Sequence, residues 1–596
     1  MLGPHAMDRP LLRGLLSPST ALVVTALLSV ATANSCGPSA PVTPDTPAPT
    51  DGEPTASEAP TAIEGLPLPS GAMKAAEAVD PALLKRDVLT ISDDAFSGRG
   101  PGTAGDAAAR RWLAEQLGNL GYQPGMAGGG WEQPFDIVGI TAAMPKTWTF
   151  RADARHGGKQ RAFTWWDEFM AASGVQDERV DVKDAEVVFV GHGIVAPEQK
   201  WDDFGEADLK GKILLILNDE PTDGGDLFAG ERRLYYGRWT YKYESAAARG
   251  AAGAIIVHTD DSAGYPWGVV QTSWNGEQVE LPAGDERRVP IQGWLTNDAA
   301  EELVALAGED LDELRAAARR RDFSPVPLGI TTSLSFDCKL RRTKTANVVG
   351  VKPGADPTLG KQAVVFTAHH DHLGTGKPNA NGDAIYNGAR DNGTGIAMAL
   401  GVARSFARLP NPPRRSVIFL FVGAEEQGLL GSTFYAEHPT VAVDQIAANI
   451  NFELGNIWGP TENVVIHGKG KTSLDAWVKA AANHASRRVE DEEDPRSGWY
   501  YRSDQLSFAR VGVPAIWLSS GSDFEGKPPG WGQERVSGWI ARHYHQPTDE
   551  VTSEWRFDGM AEDTALAFLV GAATANADAM PTWTPGDEFE RLRKKK

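Results

Sequence analysis

Three textures of apolar and polar positions divide the chain. An apolar run interrupted by Ser and Thr occupies 15–33, after Arg9 and Arg13. The next stretch, to about 69, is rich in Pro, Thr, Ala and Glu and has too few apolar residues to bury a core. From 78 onward the pattern is that of a folded body. Apolar residues recur at helical spacing in ALLKRDVLTISDD and AGDAAARRWLAEQLGNLGY, on either side of the glycine-rich SGRGPGTAG, and 131–140 reads as extended. After 141 come short β-branched runs at 186–194, 210–219 and 254–259, with helical patterns at 240–253 and 299–319. After Thr345 strands alternate with helices. SVIFLFVGA (416–424) is continuously apolar, as in a strand covered on both faces. The alternation predicts an α/β fold with a largely parallel sheet flanked by helices. Ligand sites in such sheets lie at the carboxyl ends of the strands.

The first texture reads as an export signal over 1–35: basic residues, an apolar core, then small residues. It ends Ala-Asn-Ser-Cys-Gly, so Cys36 is the expected lipidated residue of a bacterial lipoprotein. Residues 36–72 then form a disordered tether. The expected location is the bacterial cell envelope, on the periplasmic face or the outer membrane, or the exterior. The folded part divides into a first segment at 73–140, an inserted smaller α/β unit at 141–340, and a second segment at 341–596. With Cys36 lipidated, Cys338 is left as a buried small apolar residue.

Charge and cysteine content exclude several classes. The 79 acids against 58 bases give a net charge of -21, which argues against a nucleic-acid binder. Two cysteines exclude a disulfide scaffold or a Cys-rich zinc module.

The chemistry-bearing residues sit where strands end. AVVFTA runs into His369, His370 and His372, and in extended geometry His369 and Asp371 share a face. Asp391 stands before the glycine-rich entry to a helix near 395, where alone it would read as a cap. The strand at 416–424 runs into Glu425 and Glu426, two carboxylates that are costly there unless neutralised. Glu453 ends NINFE. His545 precedes a Pro-containing turn, with Asp549 as a supporting carboxylate and His543 as a competing ligand. His369, Asp391, Glu426, Glu453 and His545 make a nitrogen and oxygen donor set suited to zinc. Two zinc ions carry four positive charges against three ligand carboxylates, and Glu425 is left over as a general base.

These strings resemble the co-catalytic two-zinc aminopeptidase family, which includes glutamate carboxypeptidase II and the metal-free transferrin receptor. AHHDHLG, GDAIYNGARDNGTG, GAEEQGLLGS, NFELGN, RSDQLSFARVGVPA and YHQPTDE occur in the family order. The resemblance implies a mixed central sheet flanked by helices. Asp391 would bridge two Zn2+, with His369 and Glu453 completing one site and Glu426 and His545 the other. Glu425 would be the base, Asp371 would orient His369, and Tyr544 matches a substrate-contacting position. The family commonly has Asp where this chain has Glu453. FVGHGIVAPEQKWDDFGEADLKGKILLILND and YKYESAAARGAAGAIIVHT resemble a protease-associated domain, which sits over the active site in relatives.

The resulting expectation is an exported zinc exopeptidase that releases N-terminal residues from peptides. A carboxypeptidase or other amidohydrolase is the alternative, with Arg502 and Arg542 as candidate anchors for a terminal carboxylate. A non-enzymatic binding protein is the third reading, disfavoured because buried carboxylates left without metal are costly.

Overall fold

The computed structural model describes residues 62–222 and 227–594. The expected signal segment, Cys36 and most of the tether lie outside the described residues.

Strands β1 (Glu132–Ala142), β2 (Val326–Lys352), β3 (Ala363–His369), β4 (Ser416–Val422), β5 (Ile446–Asn451), β6 (Asn463–His467), β7 (Arg488–Glu490) and β8 (Ala515–Ser520) build the sheet that carries the ligand residues. The order is β1-β2-β4-β3-β5-β8-β6-β7. β4, β3, β5 and β8 run parallel, β2 is antiparallel to β4, and β6 is antiparallel to β8. The parallel centre is the part that continuous apolar runs demand, and every residue of β3, β4 and β5 is buried.

Alternation along the strands divides them between two cores. Phe366 of β3 and Phe419 of β4 stack at 5.0 Å on one face. There they meet α2 (Gly395–Ala407) and α6 (Asp558–Asn576), after α1 (Ala104–Asn119) at the sheet's start. Val365, Ile418 and Leu420 pack on the other face against Tyr435 and Phe508. Helices α3 (Leu430–Glu437), α4 (Leu474–His484) and α5 (Trp531–Arg542) complete the layers.

A second sheet forms between β1 and the end of β2. Its middle runs Arg179–Phe189, Ile213–Leu217, Gly253–His258 and Ile291–Thr296, all parallel neighbours, with Phe169–Ser173 antiparallel at one side. The first half of β2 pairs with Arg179–Phe189 in this sheet, and its second half pairs with β1 and β4 in the first. One unbroken strand of 27 residues therefore belongs to both sheets. The helical pattern at 299–319 resolves into two helices, Asn297–Leu306 and Leu311–Ala318. Gly308 at φ 76° and the Asp310 cap separate them, since a left-handed residue ends a helix. Among the described residues, no helix is long and apolar enough to cross a membrane.

Candidate metal centre

Because β3, β4 and β5 are parallel, their carboxyl ends share one edge of the sheet. His369 is the last residue of β3, Glu425 and Glu426 follow β4, and Glu453 follows β5. Asp391 lies in the turn that enters α2, and His545 in the loop after α5. Ala424, Leu454 and His545 adopt φ of 59°, 47° and 57°. Non-glycine residues in the left-handed region are strained, and such strain concentrates where side chains are held for function.

The two oxygens of Asp391 face different partners. Oδ1 is 3.3 Å from His369 Nε2, which is 3.2 Å from Glu453 Oε1. Oδ2 is 3.2 Å from His545 Nε2, which is 3.0 Å from Glu426 Oε2. All five residues expected as ligands therefore meet around one carboxylate. Glu425 stands further back, its Oε2 4.0 Å from His369 Nε2. Glu453 reaches the group despite its extra methylene, and its Oε2 accepts a hydrogen bond from Ser503 Oγ at 2.8 Å. His543 is turned away, with Nδ1 3.0 Å from Thr548 Oγ1. The Tyr544 ring stacks on the His545 imidazole at 3.9 Å.

The donors fit a divalent metal. Among the described residues His545 Nε2 is buried without an aligned hydrogen-bond partner, although two carboxylate oxygens lie within 3.2 Å. Atoms that approach so closely without hydrogen-bond alignment converge on a shared centre. Burial opposes a proton on His369 and His545. The carboxylates of Glu453 and Glu425 at one, and of Glu426 and Asp391 at the other, nevertheless hold both well above the usual histidine range. Asp391 is held well below the carboxylate range against its own burial. Buried carboxylates of this number are stable only when paired with positive charge. Nitrogen and oxygen donors without thiolate suit zinc among the transition metals. His372 is a competing donor, its Nδ1 2.6 Å from Glu426 Oε1, and it groups with Asp391 and Glu426.

Arg99, Asp106 and Arg390 carry no mark in the sequence, whereas Asp371 and Asp549, expected as supporting carboxylates, take other partners than expected. Arg99 is fully buried and donates to the carbonyls of His370, Ile91, Asn387 and Gly388 at 2.6–2.9 Å. It ties the β3 exit to the turn carrying Asp391. Asp106 lies 3.0 Å from His370 Nε2. Asp371 accepts hydrogen bonds from the Glu425 and Glu426 amides at 3.0 and 3.3 Å. Its carboxylate is 3.8 Å from His369 Nδ1, whereas its main-chain oxygen is 3.2 Å away. Asp549 serves Asp391 rather than His545, accepting from the amides of Arg390 and Asp391 at 3.0 Å. Arg390 lies between Trp458 and Trp539, 4.5 Å from each ring.

Residues 347–569 match the model described as Peptidase family M28. This segment belongs to peptidase family M28. It contains His369, Asp391, Glu425, Glu426, Glu453 and His545, while Arg99 and Asp106 lie upstream of it. The chain is 26% identical over 386 residues to "Probable leucine aminopeptidase 2" of Aspergillus fumigatus, covering 63% of this chain and 64% of that protein. It is 26% identical over 257 residues to "Leupeptin-inactivating enzyme 1" of Streptomyces exfoliatus, covering 41% and 51%. Both alignments thus span between about half and two thirds of the relatives' lengths. Among solved structures, an aminopeptidase from Aneurinibacillus sp. strain AM-1 aligns at 20% identity over 86% of this chain and 98% of that one, with a TM-score of 0.45.

Proposed function

We propose that the protein is an exported zinc-dependent aminopeptidase that releases N-terminal residues from peptides. The observation that carries this reading is the Asp391 carboxylate, with one oxygen facing His369 and Glu453 and the other facing Glu426 and His545. His369, Asp391 and Glu453 would hold one Zn2+, and Asp391, Glu426 and His545 a second. When bound, zinc supplies the positive charge that eases deprotonation of water and polarises a peptide carbonyl.

The remaining steps belong to this chain's own groups. Glu425 takes the proton from the attacking water and returns it to the leaving amine. Burial, only partly offset by His369 and reinforced by Asp504, Glu453 and Glu426, holds its pKa well above the ordinary 4.5. A base of raised pKa binds the abstracted proton more firmly. Asp371 positions Glu425 and Glu426 through their amides, and Asp549 does the same for Asp391. Tyr544 would border the substrate beside His545. The insert at 141–340 would act as a protease-associated domain, and Cys36 would tether the mature protein to a membrane.

The carboxypeptidase reading has one observation in its favour. Among the described residues Arg390 Nη1 is buried without a hydrogen-bond partner, as a group awaiting a terminal carboxylate would be. Of the two arginines named from the sequence, Arg502 packs over Trp499 at 5.1 Å and its Nε is likewise buried without a hydrogen-bond partner among the described residues, whereas Arg542 is exposed at the end of α5. One peptide series distinguishes the readings, with free, N-acetylated and C-amidated forms, each with and without chelator. An aminopeptidase loses cleavage on acetylation and on chelation but retains it on amidation. Loss on amidation instead identifies a carboxypeptidase, and cleavage indifferent to chelator would refute a metallopeptidase.

A further inference from the structure

A cavity of about 380 Å³ opens beside the ligand cluster. Arg390 and Leu454, next in sequence to Asp391 and Glu453, line it. So does Trp517, whose indole Nε1 donates to the Glu453 carbonyl at 3.3 Å. The cavity thus borders the ligand cluster through these sequence neighbours of the ligands. Trp458, Trp499 and Trp517 supply aromatic wall.

Glu492 also lines this cavity and is only 7% exposed. Its Oε1 accepts from the Gly468 amide at 3.3 Å, and its Oε2 has no hydrogen-bond partner among the described residues. His467 stacks on Trp517 at 3.7 Å, places Nε2 2.9 Å from Ser519 Oγ, and leaves Nδ1 3.7 Å from Glu492 Oε1. Glu493 and Asp494 add carboxylates that remain exposed. A buried carboxylate oxygen without a partner is costly to the folded protein and is satisfied by a donor brought from outside. Aromatic faces beside a carboxylate suit one kind of guest. An aliphatic stem lies along the indoles, and a cationic head is held by ring faces and by charge-assisted hydrogen bonds.

We infer that this cavity selects a long cationic side chain, arginine before lysine, on the residue that the proposed aminopeptidase releases; the inference rests on that reading. A guanidinium is favoured because its planar fork both stacks on indole and meets a carboxylate with two donors. The cations nearest the aromatic wall are Arg390 over Trp458 at 4.5 Å and Arg502 over Trp499 at 5.1 Å, so the guest's cation is placed at the Glu492 end. Arg390 stands at the ligand end, where its charge is opposed by Asp549, Asp391 and Glu453. Arg496 is 3.7 Å from Asp494. Across the loop that carries Glu492, Arg232 of the second sheet's region pairs with Asp491, and the Arg233 amide donates to the Pro495 carbonyl at 3.1 Å. The inserted region thus helps to hold the acidic wall in place.

The test uses the zinc-loaded full chain and the p-nitroanilides of arginine, lysine, citrulline and leucine. Citrulline matches arginine in shape without its charge. Arginine should exceed citrulline in kcat/KM by about tenfold or more, and Glu492→Gln should lower that ratio by about tenfold. Argininamide and citrullinamide binding, read by tryptophan fluorescence, should show the same preference. Equal rates for the arginine and citrulline substrates in the wild type, or an unchanged ratio in the variant, would overturn the assignment and leave the aminopeptidase standing. Selective argininamide binding without hydrolysis would sustain the pocket and overturn the aminopeptidase. Neither hydrolysis nor selective binding would overturn both.

Discussion

Replacing Glu425 by Gln separates two roles that the geometry brings close together. Glu425, His369 and Glu426 offer donor atoms that lie within 4.8 Å of one another, so Glu425 competes for a place among the ligands. Its Oε2 is 4.0 Å from His369 Nε2, however, whereas the contacts around Asp391 are 3.0–3.3 Å. Glutamine keeps the side chain's size and leaves intact the Glu425 amide bond to Asp371. The variant should therefore retain zinc and lose the proton acceptor. General-base catalysis contributes about 10²- to 10⁴-fold, so kcat should fall by that factor, equivalent to about 3–5 kcal/mol of barrier. A pH profile provides a second reading. The base works when deprotonated, so the acid limb of the wild-type rate profile should report its titration and should vanish in the variant. Steady-state kinetics on an aminoacyl p-nitroanilide, paired with zinc analysis of the same sample, decides the matter. Wild-type turnover would refute the base, and zinc lost in parallel with turnover would make Glu425 a ligand.

Other perturbations probe the surrounding framework. Asp391→Asn should lose bound zinc together with activity, because both oxygens are engaged; full zinc content by elemental analysis would place the bridge elsewhere. Arg99→Met would leave four main-chain carbonyls without their buried donor, which should destabilise by at least about 3 kcal/mol and lower the denaturation midpoint; an unchanged midpoint would remove Arg99 from the framework. In the inserted region, burial raises Glu220 to about 8 from 4.5, against the pull of the Leu234 amide and of Arg233 and Lys242. Because the folded form holds its proton longer, stability is lost as pH rises from about 4.5 to about 8, by about 3 kcal/mol at pH 7. Glu220→Gln removes that penalty and can still accept from the Leu234 amide. Its melting temperature should match wild type near pH 5 and exceed it by a few degrees near pH 8; a pH-independent difference would refute the burial argument.

The parallel centre of the sheet was legible because burial on both faces leaves no room for polar positions. The strands at 363–369 and 416–422 are buried throughout, and the sequence reading placed both. Elements whose identity depends on a partner were less legible. β2 alternates buried and exposed positions over much of its length, so nothing local reveals that its two halves pair in different sheets. The chain simply changes neighbours near Cys338, where pairing with Arg179–Phe189 gives way to pairing with β1. α5 carries as many polar as apolar residues and buries only Gly532 and Trp539, so burial marks little of its length.

The same distinction explains the site. Each candidate ligand stands at the end of a strand or beside a glycine-rich turn, so residue type and local pattern were enough to single it out. The residues that hold the ligands carry no such mark. Asp106 sits in the first turn of α1 behind the Thr103 cap, where an acid is ordinary, and it meets His370 only across 264 positions of chain. Asp549 is close in sequence to His545, yet it bonds the Asp391 amide 158 positions away. Glu492 lies in DEED, which as sequence is an exposed acidic run. Only the fold turns Glu492 inward beside Trp517 while Glu493 and Asp494 remain exposed. Reaction chemistry could therefore be read from short strings, because it requires particular atoms at strand ends. Preference for one side chain over another depends on which members of such a run are buried, and burial is settled by contacts that the local sequence does not contain.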